Sequence, residues 1–113
     1  MTSSPVEVNV TSLVGDTVTL ACDTSVNVTD VDWIHQDTPT SPVYYVYTDQ
    51  LVSDIFRPRF TVDRRPHQGK YDIIISEVQS NDSGLYICID DIGLGAQLVV
   101  YNLTVVTGSY TTS

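Results

Sequence analysis

Apolar residues recur at alternate positions in short runs along the chain, and no stretch repeats them at the period of an α-helix, about 3.6 residues. The clearest run covers residues 17–23, where Val18, Leu20 and Cys22 would share one face of a strand. Turn-forming residues separate the runs at intervals of about 8 to 12 positions, a spacing typical of β-sandwiches and barrels. The pattern therefore predicts an all-β fold.

About nine strands are predicted in this way. They cover residues 6–10, 17–23, 31–36, 43–48, 51–55, 59–63, 70–76, 84–90 and 96–106. The 113 residues amount to one domain, which we assign to residues 5–106. Residues 1–4 are interpreted as an added or mature N-terminal segment, and residues 107–113 as a linker or the start of a stalk.

The two cysteines stand 66 positions apart, and taken alone they are either free thiols or the ends of one long disulfide loop. Trp33 follows Cys22 by 11 positions, and Tyr86 precedes Cys88 by two. In a two-sheet sandwich such cysteines point inward from facing sheets and the tryptophan packs against their disulfide. The tyrosine hydroxyl would turn back onto the backbone at a tyrosine corner.

This order of residues resembles the V-set of the immunoglobulin superfamily, in antigen-receptor-like or junctional-adhesion-like members, over residues 6–106. Three segments resemble the second, third and fifth strands of the family: residues 15–22, 33–36 and 71–78. The 55 positions from Trp33 to Cys88 leave room for the C′ and C″ strands of a variable-type domain. The resemblance implies a V-type β-sandwich with Greek-key connections, two antiparallel sheets and a Cys22–Cys88 disulfide. The expected core signature consists of Trp33, Tyr86 and an ion pair between Asp82 and Arg59.

The segment Ile92-Gly93-Leu94-Gly95-Ala96 has two interpretations. It resembles the joining segment of antigen receptors, although Ile92 stands where that motif has an aromatic residue. Alternatively, its glycines form a tight hairpin turn between the last two strands. We favour the hairpin, and symmetry about Leu94 then places Val100 opposite Cys88.

That register predicts an apolar outer surface on one sheet, which we call the GFCC′ face after the strand letters of the family. Ile87 and Ile89 flank Cys88 and would point outward, while Leu98 and Val100 would point inward. The residues expected on this face are Ile34, Gln36, Tyr45, Tyr47, Ile87, Ile89, Val99 and Tyr101. Two alternatives stay open: loops or neighbouring side chains cover Ile87 and Ile89, or a bulge in the last strand shifts its parity by one residue. Exposed apolar patches mark interfaces, so we expect a protein partner: a second copy in a two-fold homodimer, or another V-type domain.

The net charge of −9 argues against nucleic-acid binding, because phosphates require a basic surface. All lysines and arginines lie within residues 57–70. They are interpreted as an ordinary solvated surface or, alternatively, as a patch for an anionic partner such as a sulfated glycan. The candidate patch residues are Arg57, Arg64, Arg65 and Lys70.

Every asparagine of the chain begins an Asn-x-Ser/Thr sequon, the acceptor motif for N-glycosylation. These are Asn9, Asn27, Asn81 and Asn102. Asn102 has the parity of Val100, so strict alternation would turn it inward. The sequons and the cysteine pair favour an extracellular or secreted location, and no apolar run of membrane-spanning length is present, so no membrane insertion by this segment is expected.

No nucleophile motif surrounds the serines or histidines, and no cysteine–histidine spacing suggests zinc. We therefore expect no enzyme, no metal and no cofactor. The sequence predicts a recognition or adhesion module of a cell-surface immunoglobulin-superfamily receptor that binds protein through the GFCC′ face. The alternative is a soluble secreted immune protein that binds carbohydrate or microbial ligands.

Overall fold

A computed structural model describes residues 6–24, 30–90 and 96–107. Within these ranges the chain forms nine strands and three 3-10 turns. The strands are β1 (Val6–Leu13), β2 (Val18–Leu20), β3 (Val31–Gln36), β4 (Tyr44–Thr48), β5 (Leu51–Val52), β6 (Phe60–Arg65), β7 (Lys70–Ile75), β8 (Gly84–Asp90) and β9 (Gln97–Val106). The 3-10 turns are Asp54–Phe56, Pro66–Gln68 and Ser80–Asp82.

Two sheets pack face to face, as predicted for a sandwich. The larger sheet has the order β1-β9-β8-β3-β4-β5, and the smaller has the order β2-β7-β6. All neighbouring strands are antiparallel except β1, which runs parallel to β9 along its whole length. The larger sheet is therefore mixed, whereas the sequence suggested two purely antiparallel sheets. This pairing also explains why β1 extends to Leu13, past the break expected near Thr11.

The core lies between the sheets and follows the predicted alternation. In β7 the buried residues are Tyr71, Ile73 and Ile75, with half-buried neighbours between them. Val78, which follows this strand, is also fully buried. The period of two places each apolar set on the face that meets the other sheet.

The disulfide between Cys22 and Cys88 is confirmed, with 6.4 Å between the two Cα atoms. Trp33 lies directly opposite Cys88 on the neighbouring strand and is fully buried. Its indole Nε1 donates a hydrogen bond of 2.8 Å to the backbone oxygen of Tyr71 in the other sheet. The covalent link and this hydrogen bond therefore join the two sheets at the same level.

The corner before β8 is held by a buried acid. The guanidinium of Arg59 donates to both carboxylate oxygens of Asp82, at 2.8 and 2.9 Å. Asp82 also accepts the backbone N–H of Gln79 at 2.8 Å, and its backbone oxygen accepts the hydroxyl of Tyr86. The hydrogen bond to Asp82 raises the pKa of Arg59 above its ordinary value. The tyrosine corner and the ion pair thus share one residue.

Gly84 starts β8 with a backbone φ of 134°, a conformation that residues with a side chain rarely adopt. A Cβ atom at this position would lie 2.5 Å from the backbone oxygen of Gln36. Glycine therefore allows the start of β8 to approach β3 closely.

Candidate interaction face

The strand register places the outward side chains of the larger sheet in rows across the strands. One row contains Tyr45, Ile34, Ile87, Val100 and Glu7, in order from β4 to β1. The next row toward the start of β8 contains Gln36, Leu85, Asn102 and Asn9. Side chains in register on adjacent strands share a face of the sheet. These two rows make up most of the GFCC′ face.

An apolar cluster separate from the main core occupies the centre of this face. Ile34, Ile87 and Val100 are buried to relative exposures of 7%, 5% and 8%. Leu85 and Ile89 pack against them and are only partly buried. The central residues are therefore covered by neighbouring side chains, and a partner would meet mainly the flanking ones.

Three residues expected on this face lie instead between the sheets, so the predictions for Tyr47, Val99 and Tyr101 were wrong. Tyr47 is 2% exposed, and Val99 and Tyr101 pack against the main core. The Tyr101 ring stacks near Trp33, with 6.1 Å between ring centroids, and its hydroxyl donates to the backbone oxygen of Ala21, the residue that follows β2.

A β-bulge in β9 explains two of these errors. Cys88 pairs with Val99, but Ile89 pairs with Gln97, so Leu98 is an extra residue on β9. The expected pairing of Cys88 with Val100 was therefore wrong by one position. Because a shift of one residue exchanges the two faces of a strand, Val100 and Asn102 point outward. Leu98 still packs inward, as predicted, because the bulge turns two successive residues toward the core.

A second bulge in β4 explains the third error. Trp33 pairs with Tyr47 and Ile34 pairs with Tyr45, which leaves Val46 as the extra residue. Val46 and Tyr47 are both buried in the core, while Tyr45 is 51% exposed on the GFCC′ face. The two bulges lie on opposite sides of the Trp33–Cys88 pair.

Tyr47 takes part in a small polar cluster that sequence reasoning missed. Its hydroxyl donates to Asp30 at 3.3 Å, and the Nε atom of Arg64 lies 3.9 Å from the same carboxylate oxygen. Burial, followed by the Asp30 charge, raises the pKa of Tyr47 to about 12. Period-two alternation could not reveal this cluster, because it depends on the bulge in β4.

Gln36 lies at the margin of the face. Its side-chain nitrogen donates to the backbone oxygens of Ser41 and Pro39 in the β3–β4 loop, at 2.9 and 3.4 Å. The loop therefore holds this side chain in place beside Leu85.

Two apolar members of the face were not among the predicted residues. Val100 was assigned to the core, for the reason given above. Leu85 was not considered, although it has the parity of Ile87 and Ile89 in β8 and could have been found from that alternation.

The basic residues each lie beside an aspartate. Lys70 Nζ is 2.9 Å from Asp23, and this hydrogen bond raises the pKa of Lys70 above its ordinary value. The remaining pairs are Arg57–Asp54, Arg59–Asp82, Arg64–Asp30 and Arg65–Asp63. Each cation of the candidate anion patch therefore has an aspartate carboxylate next to it.

Three of the four sequons can be placed, and their asparagines Asn9, Asn81 and Asn102 are all exposed. The expectation that Asn102 turns inward was wrong, because the bulge in β9 reverses the parity of the strand beyond it. Asn27 lies outside the described residues, and so does the Gly93-Leu94-Gly95 segment.

Within residues 6–24, 30–90 and 96–107, no group of three or more histidine, cysteine, aspartate or glutamate side chains could hold a metal ion. Over the same ranges, no helix is long and apolar enough to cross a membrane.

A family model for the immunoglobulin V-set domain matches residues 5–106, nearly the whole chain. The protein therefore belongs to the immunoglobulin V-set family, as the resemblance and the fold both indicate. No curated protein matches the chain in sequence. V-set domains are typically non-enzymatic modules that mediate protein–protein recognition, and a V-set domain with a disulfide suggests an extracellular or secreted protein.

Proposed function

We propose that this domain is the recognition module of a cell-surface immunoglobulin-superfamily receptor and that it forms a two-fold homodimer through the GFCC′ face. The observation that carries the proposal is the apolar cluster around Ile87, which lies on the outer side of a sheet rather than between the two sheets. Apolar groups gathered on an outer sheet face favour a protein partner.

The arrangement of polar residues supports this use of the face. The apolar centre is bordered by Gln36, Asn102, Asn9 and Glu7, all of them outward and none fully buried. Interfaces commonly have an apolar core within a polar rim. Tyr45, half exposed at the β4 side, adds the aromatic residue type that interfaces favour.

Charge also constrains the geometry of self-association. Two copies of a chain with a net charge of −9 repel each other, so a homodimer requires a contact surface with few acids. Two carboxylates lie on the outward rows, Glu7 on the edge strand and Asp32 in register with Ile89. Added salt screens the repulsion and should therefore strengthen the dimer.

Sedimentation of the chain made without N-glycans tests the proposal. We expect a concentration-dependent dimer that Ile89→Asp weakens about 30-fold, because a carboxylate would then be buried in the contact, at a cost of roughly 2 kcal/mol. Ile89 is only partly buried and packs against the outer cluster, not against the main core between the sheets, so the fold should be kept.

Ile74→Asp is the matched control. Ile74 is a half-buried isoleucine that alternates with the inward residues of β7, on the outer face of the smaller sheet. It should fold and dimerise like the unmodified chain. A chain that stays monomeric at high micromolar concentration, or equal weakening by both substitutions, would contradict the proposal.

Binding of an anionic glycan by the basic residues receives less support. Because each lysine and arginine lies beside an aspartate, a sulfated ligand would have to compete with these carboxylates. We therefore propose the GFCC′ face, and not the anion patch, as the recognition surface.

A further inference from the structure

Two sequons lie side by side on the larger sheet. Asn9 of β1 pairs in register with Asn102 of β9, and Thr11 pairs with Thr104. All four residues are exposed. Because the strands are parallel and in register, both acceptor asparagines point to the same side of the sheet, about 4.8 Å apart in the direction of strand pairing.

The shared side is the GFCC′ face. Asn102 pairs with Leu85, which packs against the apolar cluster. Val100 belongs to that cluster and lies two residues before Asn102 on the same strand, a distance of about 7 Å at the usual rise per residue. Asn102 is therefore at the border of the apolar cluster, in an inner strand of the sheet.

We propose that an N-glycan on Asn102 closes the GFCC′ face to its protein partner, so that occupancy of this sequon controls docking. This inference rests on the function proposed above. In the modification, the Asn102 side-chain nitrogen loses a proton and bonds to the anomeric carbon of a lipid-linked oligosaccharide, and the lipid pyrophosphate leaves. The attached sugar is bulky and hydrated, and it stands beside Leu85, a flanking residue of the cluster that a partner must contact.

The two sequons differ in their effect because their strands differ in position. β9 has neighbours on both sides, whereas β1 lies at the edge of the sheet. A glycan on Asn9 can lean away from the face over the open edge, whereas one on Asn102 starts from an inner strand, directly beside Leu85. We therefore expect Asn102 to dominate, with a smaller effect from Asn9.

The test compares dimerisation of the chain secreted from eukaryotic cells with that of the same chain made without glycans. Glycopeptide mass spectrometry measures occupancy at Asn102, and sedimentation measures the dimer dissociation constant. We expect occupied Asn102 to raise this constant at least tenfold. Asn102→Gln and Thr104→Ala each remove the sequon, and both should restore the glycan-free behaviour of the secreted chain.

Asn81→Gln is the matched control, because Asn81 is exposed in the 3-10 turn Ser80–Asp82, outside the strands of the face. It should leave dimerisation of the secreted chain unchanged. An unoccupied Asn102, or an occupied Asn102 in a chain that dimerises as well as the glycan-free one, overturns the inference alone. A glycan-free chain that stays monomeric overturns the proposed function and, with it, this inference.

Discussion

The two faces of the larger sheet bury apolar residues to nearly the same degree by different means. On the inner face, Trp33 and Cys88 are fully buried beneath the smaller sheet. The disulfide of Cys88 with Cys22 links the two layers there. On the outer face, Ile34 and Ile87 are 7% and 5% exposed, and the contacts that cover them come from side chains of the same sheet. Low exposure alone therefore does not distinguish a core from a binding surface.

The polar groups separate the two faces more clearly. Inside, the Trp33 indole donates to the backbone oxygen of Tyr71 in the smaller sheet, and the Tyr101 hydroxyl donates to that of Ala21, just after β2. Outside, the polar side chains surround the apolar cluster instead of crossing it. The inner arrangement holds two layers together, whereas the outer one surrounds an apolar cluster whose flanking members, Leu85 and Ile89, are only partly buried. Three experiments can sharpen or break this comparison.

The largest effect is expected from removing the link between the layers. The double substitution Cys22→Ala, Cys88→Ala should lower the free energy of unfolding by about 4 kcal/mol, because the unfolded chain gains the entropy of an open loop. Denaturant titration of the variant against the oxidised parent measures this difference. A loss below about 1 kcal/mol would show that packing alone holds the sheets together.

A pair of isoleucine truncations compares the two kinds of burial directly. Ile75→Ala, between the sheets, should cost about 2 to 5 kcal/mol, since it leaves a cavity. Ile87→Ala, on the outer face, should cost less than about 2 kcal/mol, because water or a neighbouring side chain can fill the space. Equal losses in denaturant titrations would mean that the outer cluster is a true second core.

The smallest effect concerns Tyr47, which lies on the inner side although Tyr45 lies on the outer side. Tyr47→Phe removes the hydrogen bond to Asp30 and should cost about 1 kcal/mol at neutral pH. Tyr45→Phe is the matched control, because it removes a phenol that is half exposed, and it should change stability less.

The pH dependence of stability provides a second readout for Tyr47. Its pKa is raised from 10.0 to about 12 in the folded protein, so folding favours the protonated phenol. The corresponding stability is complete below pH 10 and is lost as the pH rises to about 12. Tyr47→Phe should therefore reduce the decline in the free energy of unfolding between pH 10 and 12, to which the raised pKa values of Tyr71, Tyr86 and Tyr101 also contribute. An unchanged decline would show that Tyr47 ionises without penalty.

Much of the fold could be predicted from local pattern. Alternation located all nine strands. The predicted bounds of β3 and β8 are correct at both ends, because these are inner strands of the larger sheet with a neighbour on each side. Edge strands were less predictable. β5 ends at Val52 and continues into the 3-10 turn Asp54–Phe56, since a strand at the sheet edge has a neighbour on one side only.

The candidate site was predicted in part. Ile34, Ile87 and Ile89 lie on strands whose parity follows from Trp33 and Cys88, and the structure places them on the outer face as expected. Val99 and Tyr101 were misassigned because parity was carried across the hairpin into β9, where one extra residue reverses it. The same extra residue, Leu98, also turns the sequon asparagine Asn102 outward, beside Asn9.

The sequence by itself determined the sandwich, the disulfide and the residues that flank it, because alternation and spacing are properties of a single strand. Only the tertiary structure decided which residues of β9 point outward. The bulges at Leu98 and Val46 lie on either side of the Trp33–Cys88 pair. A bulge depends on how two neighbouring strands fit around the core, and that fit exists only once the sheets have packed.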